Sequence, residues 1–90
     1  MTAAIGMIET AGIACSIFVA DAMLKMADIR IIRQDEVGQA YFTVFIEGDV
    51  GAVQLAIECG VNIAKEADLL IAYQIISRPL IEGLKIAGSK

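Results

Sequence analysis

The acidic pair Asp35 and Glu36 is the first candidate for chemistry in this chain, because it leads into a glycine within the polar stretch DEVGQAYF, residues 35–42. The 90 residues include no histidine, so a general base would have to be a carboxylate, a lysine or a tyrosine. We expect Asp35 and Glu36 on a solvated turn, where adjacent side chains rarely converge on one reacting atom. The sequence therefore predicts a protein that is not an enzyme.

Two further motifs could hold a phosphate or a metal ion. GDVG, residues 48–51, lacks the GxxxxGK[ST] and GxGxxG spacings, so we interpret it as a strand end followed by a helix cap. Cys15 and Cys59 lie among apolar neighbours and form no CxxC motif, which predicts buried free thiols in a reducing compartment. We expect no metal and no cofactor.

The composition points to association with other protein chains. Hydrophobic residues make up 58% of the chain, against roughly 45–50% in ordinary domains, and the net charge is −4. No run of eighteen apolar residues exists, because charged side chains such as Asp21, Lys25 and Glu58 interrupt the helical stretches, so a membrane span is not expected. No basic cluster favours a nucleic acid. The apolar surplus predicts an obligate homo-oligomer.

Periodicity and turn residues predict six main elements in one domain covering residues 1–90. Strands are expected at residues 3–9, 29–34, 39–47 and 69–77, with DEVG (35–38) as a hairpin turn. Thr10 is expected to cap a helix over 12–27, and Asp49 a second helix to Ala67. A short helix is expected from about residue 80, and residues 88–90 are expected to fray. The order predicts an α+β, ferredoxin-like split β-α-β-β-α-β fold, an antiparallel sheet with two helices on one face and a short C-terminal helix.

Two classes of function fit such a fold. One is a ferredoxin-like regulatory module that binds a small ligand at a dimer or trimer interface, and the other is a structural assembly unit. The fold alone does not decide between them. The apolar surplus and the narrow polar stripe Gln54, Glu58, Asn62 and Glu66 on the second helix favour assembly.

Four separated motifs resemble the shell proteins of bacterial microcompartments, in particular their single-domain, hexamer-forming class. They are IGMIETAG (5–12), ADAMLKMADI (20–29), GDVGAVQLAIECG (48–60) and ISRP (76–79). The similarity runs from about residue 4 to residue 80, with the elements in direct rather than permuted order. It implies a cyclic homohexamer that tiles into shell facets in the cytoplasm, beside other shell proteins and around encapsulated enzymes, with a central pore for small metabolites.

The resemblance also implies a seam between hexamers. Lys25 matches the family's edge lysine and Arg78 the arginine that reaches into the same seam, while Asp28 stands where many members have asparagine. The plainer alternative for Lys25 is an intrahelical pair with Asp21. Phe18 departs from the family, and packing within the subunit, a place in the ring interface and a patch for cargo all remain open for it.

The same resemblance implies a pore loop on the six-fold axis. Gly38, Gln39 and Ala40 match its tip, often glycine–serine–glycine, and Asp35 and Glu36 would line the approach. The loop has no cysteine, so no iron–sulfur cluster is expected there. We predict a narrow polar pore unfavourable to anionic metabolites; alternatively, both acids point away from the axis and Gln39 alone sets the opening.

Overall fold

Four strands and two helices alternate along the chain in the computed structural model, which describes residues 3–77. The elements are β1 (Ala3–Ala11), α1 (Ile13–Met26), β2 (Ile29–Val37), β3 (Tyr41–Asp49), α2 (Val50–Glu66) and β4 (Leu70–Ser77). The predicted β-α-β-β-α-β order is confirmed. The helix predicted from about residue 80 and the fraying end lie outside the described residues.

The sheet has the strand order β2-β3-β1-β4, and every neighbouring pair is antiparallel. Along β1, burial alternates: Ala4 and Ile8 are buried beneath the helices, whereas Ile5 and Met7 are half-buried on the opposite face. We call that opposite face the open face, because neither α1 nor α2 covers it. Both helices lie on one side of the sheet, α2 mainly over β1 and β4 and α1 next to it.

Two glycines let the helices approach the sheet and each other. A Cβ on Gly6 of β1 would lie 2.8 Å from Cγ1 of Ile57 on α2. A Cβ on Gly60 of α2 would lie 3.0 Å from Cγ1 of Val19 and 3.2 Å from Sδ of Met23, both on α1. Val19, Met23 and Ile57 are almost fully buried, so the core is closed by contacts that need a residue without a side chain at these two positions.

The start of α1 differs from the prediction. Thr10 was expected to cap the helix, but β1 continues to Ala11 and Thr10 is 1% exposed inside the sheet. Its Oγ1 has no hydrogen-bond partner. Gly12 takes the N-cap position with a φ of 85°, and no side chain caps the helix. At α2, Asp49 is the N-cap residue as predicted, although its side chain makes no capping hydrogen bond.

The hairpin between β2 and β3 is longer than predicted. β2 runs through Asp35 and Glu36 to Val37, and only residues 38–40 form the turn, so the prediction of a turn at 35–38 was wrong. The register shifts between Ile31 and Arg33, which leaves Ile32 as an extra, unpaired residue of a β-bulge. The three pairs from Asp35 opposite Thr43 to Val37 opposite Tyr41 carry β2 three residues beyond its predicted end.

Candidate functional site

The tip of the β2–β3 hairpin is an exposed three-residue turn made by Gly38, Gln39 and Ala40. Gly38 and Ala40 both have a positive φ, 63° and 68°. The backbone N–H of Gly12 donates a hydrogen bond to the carbonyl oxygen of Ala40, with an N–O distance of 2.6 Å. The tip is thereby tied to the N-cap residue of helix α1, while Gln39 is exposed.

Asp35 and Glu36 lie on the strand that leads to this tip, and they point to opposite faces of the sheet. Asp35 pairs with Thr43, and its Oδ2 is 2.7 Å from Nε of Arg33, two residues earlier on the same face. Glu36 pairs with Phe42 and is exposed on the helix side. The structure therefore separates the two acids that the sequence places side by side.

Sequence reasoning missed the role of Arg33. The spacing of Arg33 and Asp35 is the signal that could have found it, because residues i and i+2 of a strand share a face and opposite charges there attract. A second pair, Arg30 with Glu47 directly across the strands, lies on the same open face. Asp35 and Glu47 on that face are thus each paired with an arginine.

A cleft of about 290 Å³ lies beside the hairpin, between β2 and the first turns of α1. Ile13 and Ile17 contribute its apolar wall, and Gln34 and Glu36 contribute polar groups. No group of three or more histidine, cysteine, aspartate or glutamate side chains within residues 3–77 could hold a metal ion. Asp35, Ser16 and Thr43 line the cleft as well, so it presents two carboxylates, one amide and two hydroxyls.

The other sequence-predicted site lies near the last turn of α1. Lys25 Nζ is 3.0 Å from Asp21 Oδ2, and both side chains are more than half exposed, so the predicted intrahelical pair is present and weak. Asp28 follows the helix and is exposed. Arg78 lies outside the described residues. The pair with Asp21 leaves Lys25 accessible for another contact.

Eleven large apolar side chains are exposed within residues 3–77. They are Ile13, Ile17, Phe18, Leu24 and Met26 on α1, Ile32, Val37 and Tyr41 on the hairpin, Leu55 on α2, and Ile71 and Tyr73 on β4. Phe18 is 63% exposed, so it is not packed within residues 3–77. The composition indicated a surplus of apolar surface, but not its position.

Two of these groups lie at opposite edges of the domain. Ile13 and Ile17 border the cleft beside β2, which is the edge strand on one side of the sheet. Ile71 and Tyr73 lie on β4, which is the edge strand on the opposite side. We call these two groups the β2 edge and the β4 edge.

Cys15 and Cys59, expected to be buried, are half-buried and free.

No helix within the described residues is long and apolar enough to cross a membrane.

Comparisons with known proteins agree on one family. The model of the BMC domain matches residues 4–79. The carboxysome shell protein CsoS1 of Prochlorococcus marinus is 44% identical over 80 residues, which cover 88% of this chain and 78% of the relative. CsoS1A of Hydrogenovibrio crunogenus, also a carboxysome shell protein, is 43% identical over 77 residues, covering 84% and 80%.

A solved structure shares the fold as well. The crystal structure of a microcompartment protein from Desulfitobacterium hafniense superposes with a TM-score of 0.78 and 34% identity, covering 84% of this chain. The chain spans only 41% of that protein's length. The likeness therefore covers nearly all of the described fold here and less than half of the neighbour.

Proposed function

The chain belongs to the BMC domain family of bacterial microcompartment shell proteins, and we propose from this that it assembles into a cyclic homohexamer with a central pore. Its role is structural rather than enzymatic, and its place is the microcompartment shell within the bacterial cytoplasm. Facets built from such rings would also meet other shell proteins and would enclose enzymes. A ligand-binding regulatory module is the weaker alternative, because a shell role already accounts for the apolar surplus.

The observation that carries the proposal is the position of the β2 edge and the β4 edge. Two different apolar surfaces on opposite sides of one domain favour head-to-tail contacts, in which the β2 edge of one copy meets the β4 edge of the next. Repeated around an axis, such contacts close into a ring. Ile17, 60% exposed, and Tyr73, 53% exposed, are the largest contributors on each side.

The hairpin tip supplies the pore in this arrangement. Gly38, Gln39 and Ala40 are exposed at the end of a long hairpin that the Gly12–Ala40 hydrogen bond holds in place. Gln39, which both donates and accepts hydrogen bonds, would narrow the opening as a ring of amides. Replacing Gln39 with glycine should widen the opening and raise the permeability to small neutral solutes without changing the size of the assembly. A structure with Gln39 far from the ring axis would contradict this part.

The seam between rings is proposed at the last turn of α1. Lys25 and Asp28 are exposed there, and Arg78 would join them. The weak pair with Asp21 does not compete strongly with a contact across the seam, since an exposed i,i+4 pair contributes only about 0.3–0.5 kcal/mol.

The size of the purified protein tests the ring. Light scattering or native mass spectrometry should give six times the 9.6 kDa of one chain, and a stable monomer or dimer at micromolar concentration would refute the proposal. Ile17→Asp and Tyr73→Asp should each break the ring, whereas Gln54→Asp, on the exposed polar stripe of α2, should not.

Mixing the two broken variants tests the head-to-tail geometry. Each variant keeps one intact edge, so an equimolar mixture of Ile17→Asp and Tyr73→Asp should form heterodimers that cannot grow further. Recovery of hexamers in the mixture, or no association at all, would contradict contacts between the β2 edge and the β4 edge.

A further inference from the structure

We propose that Tyr73 of one copy fills the cleft beside β2 of the next copy and donates a hydrogen bond from its phenol O–H to the side-chain carbonyl of Gln34. This inference rests on the ring proposed above and deepens it, because it names the residue that one copy contributes to the cleft of another. The cleft is incomplete in the single chain, and assembly completes it.

Pairing across the sheet places Gln34 and Tyr73 in one row and on one face. Gln34 lies opposite Val44 on β3, and Val44 lies opposite Ile8 on β1. Ile8 in turn lies opposite Tyr73 on β4. Directly paired residues of antiparallel strands share a face of the sheet, and the buried Val44 and Ile8 place this row on the helix side. Gln34 and Tyr73 are therefore its two ends, at opposite edges of the sheet.

A ring brings the two ends of this row together. Rotation about an axis keeps each residue at its own distance from that axis, so head-to-tail neighbours meet through residues that lie equally far out. β2 ends at the hairpin tip, and β4 starts at the same end of the sheet, where Leu70 lies opposite Thr10. With the tip at the axis, Tyr73 of one copy therefore meets the β2 edge of the next copy at the level of Gln34.

The cleft has the size and the lining of a site for one amphipathic side chain. Its volume of about 290 Å³ is just below the roughly 300–1,000 Å³ that is typical of small-molecule pockets. Ile13, Ile17 and Phe42 line it with apolar groups, while Gln34 contributes an amide. An occupant with an apolar body and a hydrogen-bonding end fits both kinds of lining, and a tyrosine side chain has this form.

Tyr73 is the residue of the β4 edge that has this chemistry. It is 53% exposed, so its ring and its phenol are free for a contact outside the described part of its own chain. Ile71, the other member of the β4 edge, has no hydrogen-bonding group. The second tyrosine of the chain, Tyr41, is paired with Val37 on the hairpin and lies on the same side of the domain as the cleft.

Gln34 is the acceptor because of its position in the row and because its amide is exposed in the single chain. Asp35 is paired with Arg33, with a distance of 2.7 Å between Oδ2 and Nε. Glu36 lies two residues nearer to the tip, roughly 6.5 Å further along the strand. The amide oxygen of Gln34 therefore lies closest to the level at which the phenol of Tyr73 arrives.

A heterodimer with a single interface tests the contact. A chain with Tyr73→Asp keeps its β2 edge and a chain with Ile17→Asp keeps its β4 edge, so their mixture forms one contact, whose Kd isothermal titration calorimetry measures. Adding Gln34→Met to the first chain and Tyr73→Phe to the second builds a double-mutant cycle across that contact. Both changes nearly conserve the shape of an exposed side chain, so each chain should keep its fold.

The hydrogen bond predicts coupled losses. Each single change should raise Kd at least about 3-fold. The double change should raise Kd no more than either single change does, because the same hydrogen bond is lost only once. Tyr73→Ala, which removes the ring as well, should raise Kd more than about 30-fold.

Gln74→Ala is the matched control on the same strand. Gln74 follows Tyr73 but lies opposite Met7 on the open face, away from the cleft, so this change should leave Kd within about twofold. A loss as large as that of Tyr73→Ala would overturn docking in the cleft. Additive losses for Gln34→Met and Tyr73→Phe would overturn the hydrogen bond, and coupling of Tyr73→Phe to Glu36→Gln instead would overturn the choice of Gln34.

The size of the wild type and of the mixture is measured first, so that the two proposals fail separately. A wild-type chain that is not a hexamer, or a mixture that forms no heterodimer, refutes the proposed ring and the inference with it. A hexameric wild type and a heterodimer whose Kd does not respond to Tyr73→Phe refute only the inference.

Discussion

The hairpin tip contains two residues in the left-handed conformation, and only one of them is a glycine. Gly38 has a φ of 63° and Ala40 a φ of 68°. The left-handed conformation costs a residue with a Cβ about 1–2 kcal/mol. Glycine avoids that strain but loses about 0.5–1 kcal/mol more backbone entropy on folding than alanine does. Ala40→Gly should therefore stabilise each chain by about 0.5–1 kcal/mol.

Gly38→Ala is the matched reverse substitution in the same turn. A Cβ added at Gly38 would have no atom within 4 Å, so the strain would come from the backbone alone. Here the alanine adds backbone strain and recovers only part of it through lower backbone entropy in the unfolded chain. Gly38→Ala should therefore destabilise each chain by about 0.5–1 kcal/mol. Both side chains are small and the tip is exposed, so neither change should alter the assembly.

Thermal unfolding at one fixed protein concentration measures the pair. A change of 1 kcal/mol shifts the midpoint by about 4–8 °C in a domain of this size, so Ala40→Gly should raise it by about 2–8 °C and Gly38→Ala should lower it by a similar amount. Equal size before heating, checked by light scattering, is the control. If both variants shift the midpoint in the same direction, backbone strain does not govern the tip and this reasoning is wrong.

Three other substitutions test the seam, the helix–sheet contact and the buried hydroxyl. Lys25→Asp should leave hexamers intact but abolish extended sheets in electron micrographs. Asp21→Asn, which only breaks the intrahelical pair, is the control and should keep the sheets. Extended sheets in both variants would exclude a seam role for Lys25. Gly6→Ala should destabilise the chain by about 1–3 kcal/mol in denaturant unfolding, because the new methyl would lie 2.8 Å from Ile57, and an unchanged midpoint would mean that α2 moves away without cost. Thr10→Val should stabilise it by about 1–2 kcal/mol, since Oγ1 of the buried Thr10 has no partner, and a lower midpoint would show that the hydroxyl is bonded in the assembly.

The order of the elements could be predicted from the sequence because each segment has a local signature. β4 contains three isoleucines, β3 is rich in aromatic and β-branched residues, and α2 carries a narrow polar stripe at helical spacing. Each of these signals comes from the residues of one segment and does not depend on which other segments it packs against. A turn between β2 and β3 was also predictable, since a glycine in a polar stretch between two strands indicates one, but the sequence placed it at 35–38 rather than at 38–40.

The start of α1 could not be predicted in the same way. A hydroxyl just before an apolar helical pattern is typical of an N-cap, and Thr10 fits that description. In the fold, however, Thr10 pairs with Phe42 on one side and with Leu70 on the other. Two strands hold it in the sheet, and Gly12, with its positive φ, makes the bend into the helix instead. Pairing with distant strands outweighed the local preference.

The faces that Asp35 and Glu36 take depend on one feature that no local sequence pattern indicates, the bulge at Ile32. Isoleucines at 29, 31 and 32 fit a strand in either register, so the sequence leaves open which side Asp35 and Glu36 face. Ile32 is 41% exposed, and the shift occurs opposite Ile46 and Phe45, which face the two sides of the sheet in turn. Deleting Ile32 would remove the bulge and let Arg33 follow Ile31 opposite Phe45, so the later residues of β2 would keep their present faces. Which of the two acids faces the helices is therefore decided by strand pairing rather than by a local sequence signal.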